Sequence, residues 1–501
     1  MAKKKKKSSK EEDISEDDLG ITIKKKTTKK KATKKSSSKK ITKKKKSTNK
    51  SSKKTTSKKT SKKTTSKKIS KKTSKSKKSK PEFIQSSCNV GLVGHVDHGK
   101  TTLVKNLSGT WTEKYSDEIN RGITIKLGYA EAAIMQCPNC KLIVSENIAN
   151  QMRKSKKDPK GMCPNCGTKL NFKRRISFVD APGHEILMAT MLSGASLMDG
   201  ALLLIAANEN CPQPQTREHL AALDIAKIEN IIIVQNKIDS IGKEKAIEHF
   251  HQIKKFVKGT IAENAPIIPT SAIFNANIDI ISQKIEELIP SPDLDEDSEF
   301  LFNIARSFDV NRPGSEIEKI KGGVIGGSII TGTINVGDEI EIRPGFRSKE
   351  GKYSSIITTV ESIFEGNHSL DSARPGGLIA LGTKLDPSIT RSDQLIGNVV
   401  GTPGTLPEVQ NTVEIEAHLL EKVLGADEDD LIVTPIVKNE LIMIVVGTSL
   451  SVGIVQKIGK KNTITLKLKR PICALDGSIV ALSRQIKNRF RLIGYGYLIT
   501  E

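Results

Sequence analysis

The chain has 501 residues, which is too long for one ordinary hydrophobic core and predicts about three domains besides any disordered part. Its formal net charge of +26 is concentrated at the N-terminus: residues 1–80 contain 35 lysines and 6 acidic residues, whereas residues 81–501 contain 47 basic and 50 acidic residues. A protein that is basic over its whole surface is therefore excluded. Seven cysteines in a chain of this length exclude a disulfide scaffold. The chain lacks an apolar run long enough for a membrane span and an apolar secretory signal, so we expect a cytoplasmic protein.

Residues 1–80 form a low-complexity segment of lysine, serine and threonine without any aromatic residue. Such a composition cannot bury enough apolar surface to offset chain entropy, so it predicts a disordered basic tail. One interpretation is a non-specific arm that attracts RNA phosphates in a salt-dependent manner. The other is a solvated tail of little consequence, and the composition does not decide between them.

The stretch Gly94–Thr101, with the sequence GHVDHGKT, fits the phosphate-binding loop pattern GxxxxGK[ST]. The β-prone run Cys88–Val93 precedes it and apolar residues at helical spacing follow it, which is the strand, loop, helix order that the pattern requires. In such a loop, Lys100 reaches the β- and γ-phosphate oxygens and the Thr101 hydroxyl is a ligand of Mg²⁺. Backbone N–H groups of the loop and the helix N-terminus surround the phosphates. They belong to Asp97, His98, Gly99, Lys100, Thr101 and Thr102.

Two further segments add groups that act on phosphates. The apolar run Ile176–Val179 ends in Asp180, whose position predicts a carboxylate that holds Mg²⁺ through water. Gly183 has no Cβ, so its N–H can approach a γ-phosphate closely, and His184 follows where a residue that orients the attacking water would lie. Upstream, Thr124 in the segment RGITI suits either a switch that closes over Mg²⁺ and the γ-phosphate or an ordinary strand edge.

A third segment predicts which base is bound. The buried-strand run Ile231–Gln235 ends at the rim of a parallel sheet, where ligands bind, and delivers there Asn236, Lys237, Ile238 and Asp239. The Asp239 carboxylate can accept from the ring N1–H and the exocyclic amino group of guanine, whereas adenine presents the opposite pattern. Ser271 and Ala272 follow the last strand and suit backbone contacts with the guanine O6. In this chain order the segments predict a site that binds and hydrolyses GTP.

Four of the cysteines form two CPNC units separated by 22 residues. Each Pro-Asn pair supplies a tight turn that aims both sulfurs the same way, which predicts one tetrahedral Zn²⁺ bound by Cys137, Cys140, Cys163 and Cys166. A redox dithiol is the competing interpretation, although a redox CxxC usually stands singly. Only turn residues separate the ligands and no open-site histidine is present, so we expect the zinc to be structural.

The residue pattern changes after the nucleotide motifs. The run Pro290–Asp297 is rich in proline and acidic residues and is typical of a linker. Beyond it, short β-rich segments separated by Gly/Asp turns predict two β-barrels, with strands over 307–310, 326–334, 338–342, 356–363 and 377–381 and then over 412–419, 441–447, 463–468, 478–483 and 489–498. The predicted fold class is an α/β P-loop GTPase domain with an inserted zinc knuckle, followed by two β-barrel domains. Its boundaries are a disordered tail over 1–80, the GTPase domain over 81–292 with the knuckle over 137–166, and barrels over 300–406 and 407–501.

The motifs GHVDHGKT and DAPGH resemble those of the translational GTPases of the elongation factor Tu type, which have one GTPase domain and two β-barrels. Within that group, residues 83–501 resemble the family of gamma subunits of the heterotrimeric initiation factor two of archaea and eukaryotes. This resemblance rests on the inserted cysteine knuckle and on the segments 121–129, 188–195, 307–314 and 491–494. It implies GTP-dependent binding of initiator methionyl-tRNA, delivery to the small ribosomal subunit and its mRNA-bound initiation complex, and docking of alpha and beta subunits.

The resemblance also implies residue roles, and two alternatives remain open. The implied roles are Thr101 and Thr124 as Mg²⁺ ligands, Asp97 and the Gly122 carbonyl as a further magnesium site, Val96 and Ile123 beside the attacking water, and Tyr129 near the acceptor end of the tRNA. A selenocysteine-specific elongation factor has the same GTPase core and barrels but another cargo, and the four-cysteine knuckle speaks against it. A nucleotide-independent RNA-binding assembly protein would have a vestigial site, which the intact Lys100 and Asp239 oppose.

Overall fold

The computed structural model describes residues 83–112, 124, 126–153, 159–184, 187–312, 314, 316–348, 350–423, 431–487 and 489–500. The tail predicted over 1–80 lies outside the described residues, as do Gly122 and Ile123. From Phe83 onward the chain forms one compact unit. No helix within the described ranges is long and apolar enough to span a membrane.

The first part of the described chain is an α/β region. Its strands are β1 (Asn89–Gly94), β2 (Gly128–Gln136), β3 (Ile143–Ser145), β4 (Asn171–Asp180), β5 (Gly200–Ala206), β6 (Ile231–Asn236) and β7 (Ile267–Pro269). They form a seven-stranded sheet in the order β3-β2-β4-β1-β5-β6-β7. Strands β4, β1, β5, β6 and β7 are parallel, so their carboxyl ends meet at one edge, whereas β2 runs antiparallel to both neighbours. The helices are α1 (Lys100–Ser108), α2 (Glu146–Gln151), α3 (Met188–Ala195), α4 (Pro214–Ile225), α5 (Lys243–Val257) and α6 (Ile278–Leu288).

Strand β5, near the centre of the sheet, is apolar throughout because helices cover both faces of the sheet. In β5, Leu203 and Ile205 pack into the core on one face, and Leu202 and Leu204 pack into the core on the other. Successive side chains of a strand point to opposite faces, so a strand buried on both faces needs an uninterrupted apolar run. The buried strands predicted from such runs are confirmed.

The next part is a β-barrel, here called the first barrel. Its elements are β8 (Leu301–Phe308), β9 (Val324–Thr331), β10 (Ile334–Asn335), β11 (Glu339–Arg347), β12 (Tyr353–Glu365), β13 (His368–Leu370), β14 (Ser372–Ala373), β15 (Ile379–Thr383), α7 (Pro387–Thr390) and β16 (Val399–Gly401). The order β11-β16-β8-β9-β15-β12 closes because β11 also pairs with β12. The strand predicted over 307–310 is wrong in its bounds, since β8 ends where it was expected to begin. The strand predicted over 326–334 is interrupted at Gly332, where φ is 73°.

The last part is a closed barrel in the order β17-β20-β19-β18-β21-β22, here called the second barrel. Its strands are β17 (Gln410–Leu419), β18 (Leu441–Val446), β19 (Ser449–Ile458), β20 (Thr463–Ile472), β21 (Ile479–Ile486) and β22 (Arg489–Ile499). None of the predicted strands covers β19, whose buried positions include Ser449, Ser451 and Gly453 and so show no apolar alternation. The bare backbone at Gly453 receives side chains of β20, since a Cβ would lie 3.0 Å from Leu468 Cδ2. The predicted fold class, a P-loop domain followed by two barrels, is confirmed.

Both barrels contact the α/β region. Arg306 Nη1 of the first barrel donates to Leu127 O at 3.1 Å. Ser193 Oγ of α3 donates to Thr448 O, in the turn between β18 and β19, at 3.3 Å. The α/β region is therefore held by hydrogen bonds to both barrels.

Candidate functional site

The loop between β1 and α1 carries the predicted phosphate-binding motif. Gly94 has a φ of 136°, and a Cβ there would lie 2.3 Å from Leu204 O. Asp97 and Gly99 have φ values of 60° and 91°, so the loop curls in the left-handed region before α1 begins. No side chain of the described residues caps α1. The N–H groups of its first turn therefore stay available to an anion.

Lys100, the first residue of α1, is buried beneath this loop. Its Nζ donates to Gly94 O at 2.8 Å and to His95 O at 2.7 Å. Burial lowers the pKa of Lys100 to about 8, while the carboxylates of Asp180 and Asp97 oppose the shift. An anionic phosphate at the loop would stabilise this ammonium further.

Asp180, at the end of β4, is the centre of a cluster of oxygen atoms. It is fully buried, and its Oδ2 accepts from Thr101 Oγ1 at 2.8 Å and from Thr112 Oγ1 at 2.7 Å. The hydroxyls of Thr101 and Thr124 lie 3.1 Å apart. Hydroxyl and carboxylate oxygens are the ligands that Mg²⁺ prefers, so this donor set fits the ion predicted here. Thr112 was not among the predicted residues.

The segment after β4 faces the loop across a cleft of about 340 Å³. A Cβ at Gly183 would lie 2.5 Å from Lys100 Nζ and 2.9 Å from Gly94 O, so only glycine fits there. His184 and Val96 line the same cleft. Of the predicted site residues, the cleft brings together Asp97, Gly99, Lys100, Thr101, Thr102, Thr124, Gly183, His184, Asn236, Lys237, Asp239 and Ala272.

The far end of the cleft is built by β6 and by the loop after β7. Asn236 Nδ2 donates to His98 O at 2.9 Å, and its Oδ1 accepts from Ala272 N at 3.0 Å. Asp239 lies in the short 3-10 helix after β6, and its exposed carboxylate lines the cleft. This end of the cleft therefore presents a carboxylate, which accepts hydrogen bonds.

His98 and Ser271 are predicted site residues that do not line the cleft. The His98 ring is buried, with Nδ1 at 2.8 Å from Leu204 O and Nε2 at 3.4 Å from Glu209 Oε2. Burial lowers the pKa of His98 to about 3. The Ser271 hydroxyl accepts from Phe274 N at 3.3 Å. Both side chains therefore make their contacts within the protein.

Trp111 and Ile273 line the cleft, although neither was predicted as a site residue. Trp111 is the only tryptophan of the chain, and Lys105 Nζ lies 4.9 Å from its ring centroid. A single tryptophan directly after the phosphate-loop helix was a signal in the sequence that pointed to it. Ile273 left no such signal, because an apolar residue in a loop does not reveal which side of the loop it occupies.

The four predicted cysteines lie together. The Sγ atoms are 3.4 Å apart for Cys137 and Cys166, 3.5 Å for Cys140 and Cys163, and 3.8 Å for Cys140 and Cys166. All four lie within 4.8 Å of one another. A tetrahedral zinc with Zn–S bonds of about 2.3 Å separates its sulfurs by about 3.8 Å. The cluster therefore fits a zinc ion.

The two cysteine turns are built alike. Lys141 N donates to Cys137 O at 3.1 Å, and Gly167 N donates to Cys163 O at 2.9 Å. Lys141 and Gly167 have left-handed φ values of 61° and 71°. Both turns thus present two sulfurs from one side, as the repeated CPNC sequence predicts.

A second cleft, of about 360 Å³, lies between the α/β region and the first barrel. Tyr129 of β2 lines it together with Arg306, Phe308 and Phe364 of the barrel. Thr112 lines it as well, and the Thr112 hydroxyl is the one that donates to Asp180. The second cleft therefore shares a wall with the oxygen cluster of the first.

Three family models match successive parts of the chain. The elongation factor Tu GTP binding domain matches residues 85–291, the elongation factor Tu domain 2 matches residues 322–395, and the C-terminal domain of initiation factor eIF2 gamma matches residues 411–498. The translation initiation factor 2 subunit gamma of Methanococcus aeolicus is 53% identical over 417 residues, which cover 83% of this chain and 98% of that protein. The subunits of Pyrococcus furiosus and Methanosarcina mazei are 53% and 52% identical, with coverage of 83% of this chain and 98% and 94% of those proteins.

Solved structures share the fold at lower identity. Translation elongation factor SelB from Methanococcus maripaludis, in complex with the GTP analogue GPPNHP, has a TM-score of 0.60 and 22% identity, over 84% of this chain and 80% of that one. A bacterial selenocysteine-specific elongation factor gives the same TM-score and identity over 83% of this chain and 58% of that one. At this identity the likeness supports the fold alone.

The GTP-binding domain, its cleft and the two barrels that follow define a translational GTPase, an enzyme that hydrolyses GTP in protein synthesis. The chain is more than 50% identical to gamma subunits of translation initiation factor 2 over nearly their whole length, so within this class it is an initiation factor. The chain belongs to the family of gamma subunits of translation initiation factor 2. The resemblance inferred from the motifs is thereby confirmed.

Proposed function

We propose that this chain, in its GTP-bound state, binds initiator methionyl-tRNA and delivers it to the small ribosomal subunit and its mRNA-bound initiation complex, with alpha and beta subunits docked on it. Membership of the gamma-subunit family supports this role. The structural observation that supports it most is Thr112, which lines the second cleft and donates to Asp180. The same carboxylate accepts from Thr101, which lines the first cleft. A change at the γ-phosphate would reach the second cleft through these contacts. We assign that cleft, with Tyr129, to the acceptor end of the tRNA.

GTP is proposed to lie along the first cleft. Its phosphates occupy the loop Asp97–Thr102, where Lys100 Nζ holds the β- and γ-oxygens and the N–H of Gly183 meets the γ-phosphate. The base lies at the far end, against Asn236, Lys237, Asp239, Ser271 and Ala272. Support comes from the convergence of these segments on one cleft.

Magnesium is proposed to bind at Thr101, Thr124 and Asp180, whose oxygens already lie together. When bound, it neutralises negative charge on the phosphate oxygens. Asp97 and the carbonyl of Gly122, which lies outside the described residues, are proposed for a further magnesium site. Zinc is proposed as a structural ion at Cys137, Cys140, Cys163 and Cys166.

We propose domains over residues 81–292, 300–406 and 407–501. We also propose that the protein acts in the cytoplasm. The three family matches each fall inside one of these ranges. A role in initiation supports the location, because initiation takes place there.

His184 is proposed to orient the attacking water, with Val96 and Ile123 beside it. His184→Ala should slow single-turnover GTP hydrolysis by about a hundredfold, because general acid–base or orienting groups typically contribute this much. The affinity for GDP should stay within about twofold, since His184 acts on the water rather than on the phosphates. His251→Ala, on the exposed face of α5, is the matched control. A full hydrolysis rate in His184→Ala would remove this residue from the mechanism.

Protection of the methionyl ester tests the cargo. The chain, together with its alpha subunit, should slow deacylation of methionyl-initiator tRNA with a non-hydrolysable GTP analogue and much less with GDP. Selenocysteinyl-tRNA serves as the competitor and should not displace the initiator. Protection of the competitor, or equal results with both nucleotides, would refute the proposed cargo while leaving the GTPase intact.

A further inference from the structure

Two consecutive residues of α4, Glu218 and His219, connect the phosphate-binding loop with the second barrel. Each has a relative exposure of 1%. Neither lines the nucleotide cleft. Their contacts run in two directions, from His219 to the end of β1 and from Glu218 to β22.

His219 contacts the first residue of the loop. Its Nδ1 accepts from the Gly94 N–H at 2.8 Å. Burial lowers the pKa of His219 well below its ordinary value, so the imidazole is neutral, and an accepting Nδ1 requires its proton on Nε2. Gly94 O in turn accepts from Lys100 Nζ at 2.8 Å. His219 therefore holds the residue whose carbonyl anchors the phosphate-binding lysine.

Glu218 contacts the second barrel through a buried ion pair. Its Oε1 accepts from Arg491 Nη1 at 2.9 Å, and the two side chains are 1% and 7% exposed. Loss of one partner would leave the other charge buried and unpaired, so such a pair strongly resists separation. Leu220, which follows His219 in α4, and Leu492, which follows Arg491 in β22, belong to one apolar cluster. Helix α4 and the second barrel are thus connected by an ion pair, and apolar residues of both belong to the same cluster.

We propose that Arg491 is a positioning residue for the nucleotide site: through Glu218 it fixes α4, and α4 places Nδ1 of His219 against the Gly94 N–H. Adjacent residues of one helical turn cannot move independently, so a shift at Glu218 is a shift at His219. Arg491 itself does not line the cleft. The inference rests on the proposed nucleotide site and extends it to the second barrel. It also gives a physical role to the segment 491–494, one of those that carried the family resemblance.

The inference can be tested by the rate at which the full-length chain releases a fluorescent GDP analogue. Stopped-flow fluorescence measures this rate. Arg491→Met should speed release about tenfold, because the loop loses a fixed acceptor. His219→Leu should act similarly, and the double variant should be no faster than the faster single variant, because both changes remove one contact. His219→Asn, whose Oδ1 replaces Nδ1 as the acceptor, should stay within about twofold of the unsubstituted chain. A merely structural role for His219 would not produce this rescue.

Arg484 provides a matched control. It lies directly opposite Arg491, on β21, and its guanidinium pairs with Glu440 inside the same barrel. Their side chains are 14% and 15% exposed, so Arg484→Met also removes a largely buried ion pair of the second barrel, although a less buried one. Because that pair stays within the barrel, the release rate should not change.

Two results would overturn the inference: a release rate in Arg491→Met within about twofold of the unsubstituted chain, or effects that multiply in the double variant. If Arg491→Met does not fold, Arg491→Lys keeps a charge beside Glu218 and takes its place. Severalfold faster release is then expected, because an ammonium lacks the planar fork of the guanidinium, and an unchanged rate again overturns the inference. Failure of the unsubstituted chain to bind GDP would instead refute the nucleotide site on which the inference depends.

Discussion

Asn236 and Asp239 are close in sequence, yet the structure gives them different tasks. Both amide atoms of Asn236 are used within the protein, Nδ2 by His98 O and Oδ1 by Ala272 N. The Asp239 carboxylate is exposed at the end of the cleft. We therefore assign recognition of the base to Asp239, while Asn236 joins the two loops that frame it.

Asp239→Asn should shift preference from guanosine toward xanthosine nucleotides by about a hundredfold. The new amide can donate to the 2-oxo group of xanthine, where the carboxylate accepted from the amino group of guanine. Competition of GDP and xanthosine diphosphate against a fluorescent nucleotide measures this preference. Asp279→Asn, in the first turn of α6 and away from the cleft, should leave it unchanged. Unaltered guanine selectivity in Asp239→Asn would count against the assignment.

The buried ammonium of Lys100 should make nucleotide binding depend on pH. Burial lowers its pKa to about 8 in the free protein, and bound phosphates favour the charged form, so the complex keeps a proton that the free protein loses above this pH. The affinity for GDP should therefore be at its maximum at neutral pH. Above about pH 8 it should fall by up to about tenfold per pH unit. Titration at constant ionic strength measures it. Lys100→Arg, which stays charged, should give a flat profile, and a flat profile in the unsubstituted chain would exclude this linkage.

At the scale of elements, the segment between Thr124 and β2 is held by the first barrel. Asp393 accepts from Lys126 Nζ and, at 2.9 Å, from Arg306 Nε. Arg306 Nη1 donates to Leu127 O at 3.1 Å. The chain on one side of Thr124 is therefore anchored.

The cysteine cluster is an element that metal analysis can test. The purified chain should contain about one zinc per molecule, and Cys163→Ser should lose it and lower the melting temperature, because the two turns lose their common ligand. GDP affinity should stay within about twofold, since none of the four cysteines lines the cleft. Cys473→Ser, whose thiol instead donates to Pro407 O in the second half of the chain, is the control. Zinc retained by Cys163→Ser would argue against the four-cysteine site.

Over the whole molecule, positive charge and nucleotide chemistry belong to different parts of the chain. Residues 1–80 contain 35 lysines and 6 acidic residues, whereas residues 81–501 contain 47 basic and 50 acidic residues. Non-specific attraction to RNA scales with the number of cations placed against phosphates. The GTPase and barrel domains are close to neutral, so we expect such attraction to depend on the N-terminal segment.

Deletion of residues 1–80 should weaken binding of unstructured RNA at low salt by at least about tenfold and flatten its dependence on salt, because fewer counterions are released. Fluorescence anisotropy over a salt series measures both quantities. A tail of equal length made of serine, threonine and glycine separates the effect of charge from that of length. GTP hydrolysis should not change. Equal RNA affinity with and without the lysines would favour the other interpretation of the tail, a solvated segment that does not contribute to RNA binding.

The sequence by itself was sufficient to predict those sites whose chemical groups lie close together along the chain. The phosphate-loop pattern Gly94–Thr101 and the predicted base segment Asn236–Asp239 each consist of adjacent residues at the end of one strand, so residue types and spacing were enough to predict them. The same holds for the cysteine turns, each of which closes over five residues. For this reason the GTPase fold class, the zinc-type cluster and the family could be predicted before the structure.

The tertiary structure decided which distant residues join these segments. Thr112 and Asp180 are 68 positions apart, and Glu218 and Arg491 are 273 positions apart. No local pattern records that the first pair joins the second cleft to the oxygen cluster around Asp180, that the second joins helix to barrel, or that the ring of His98 does not line the first cleft. Burial and the choice of a partner arise from the packing of whole domains, because they depend on every segment that reaches the same place.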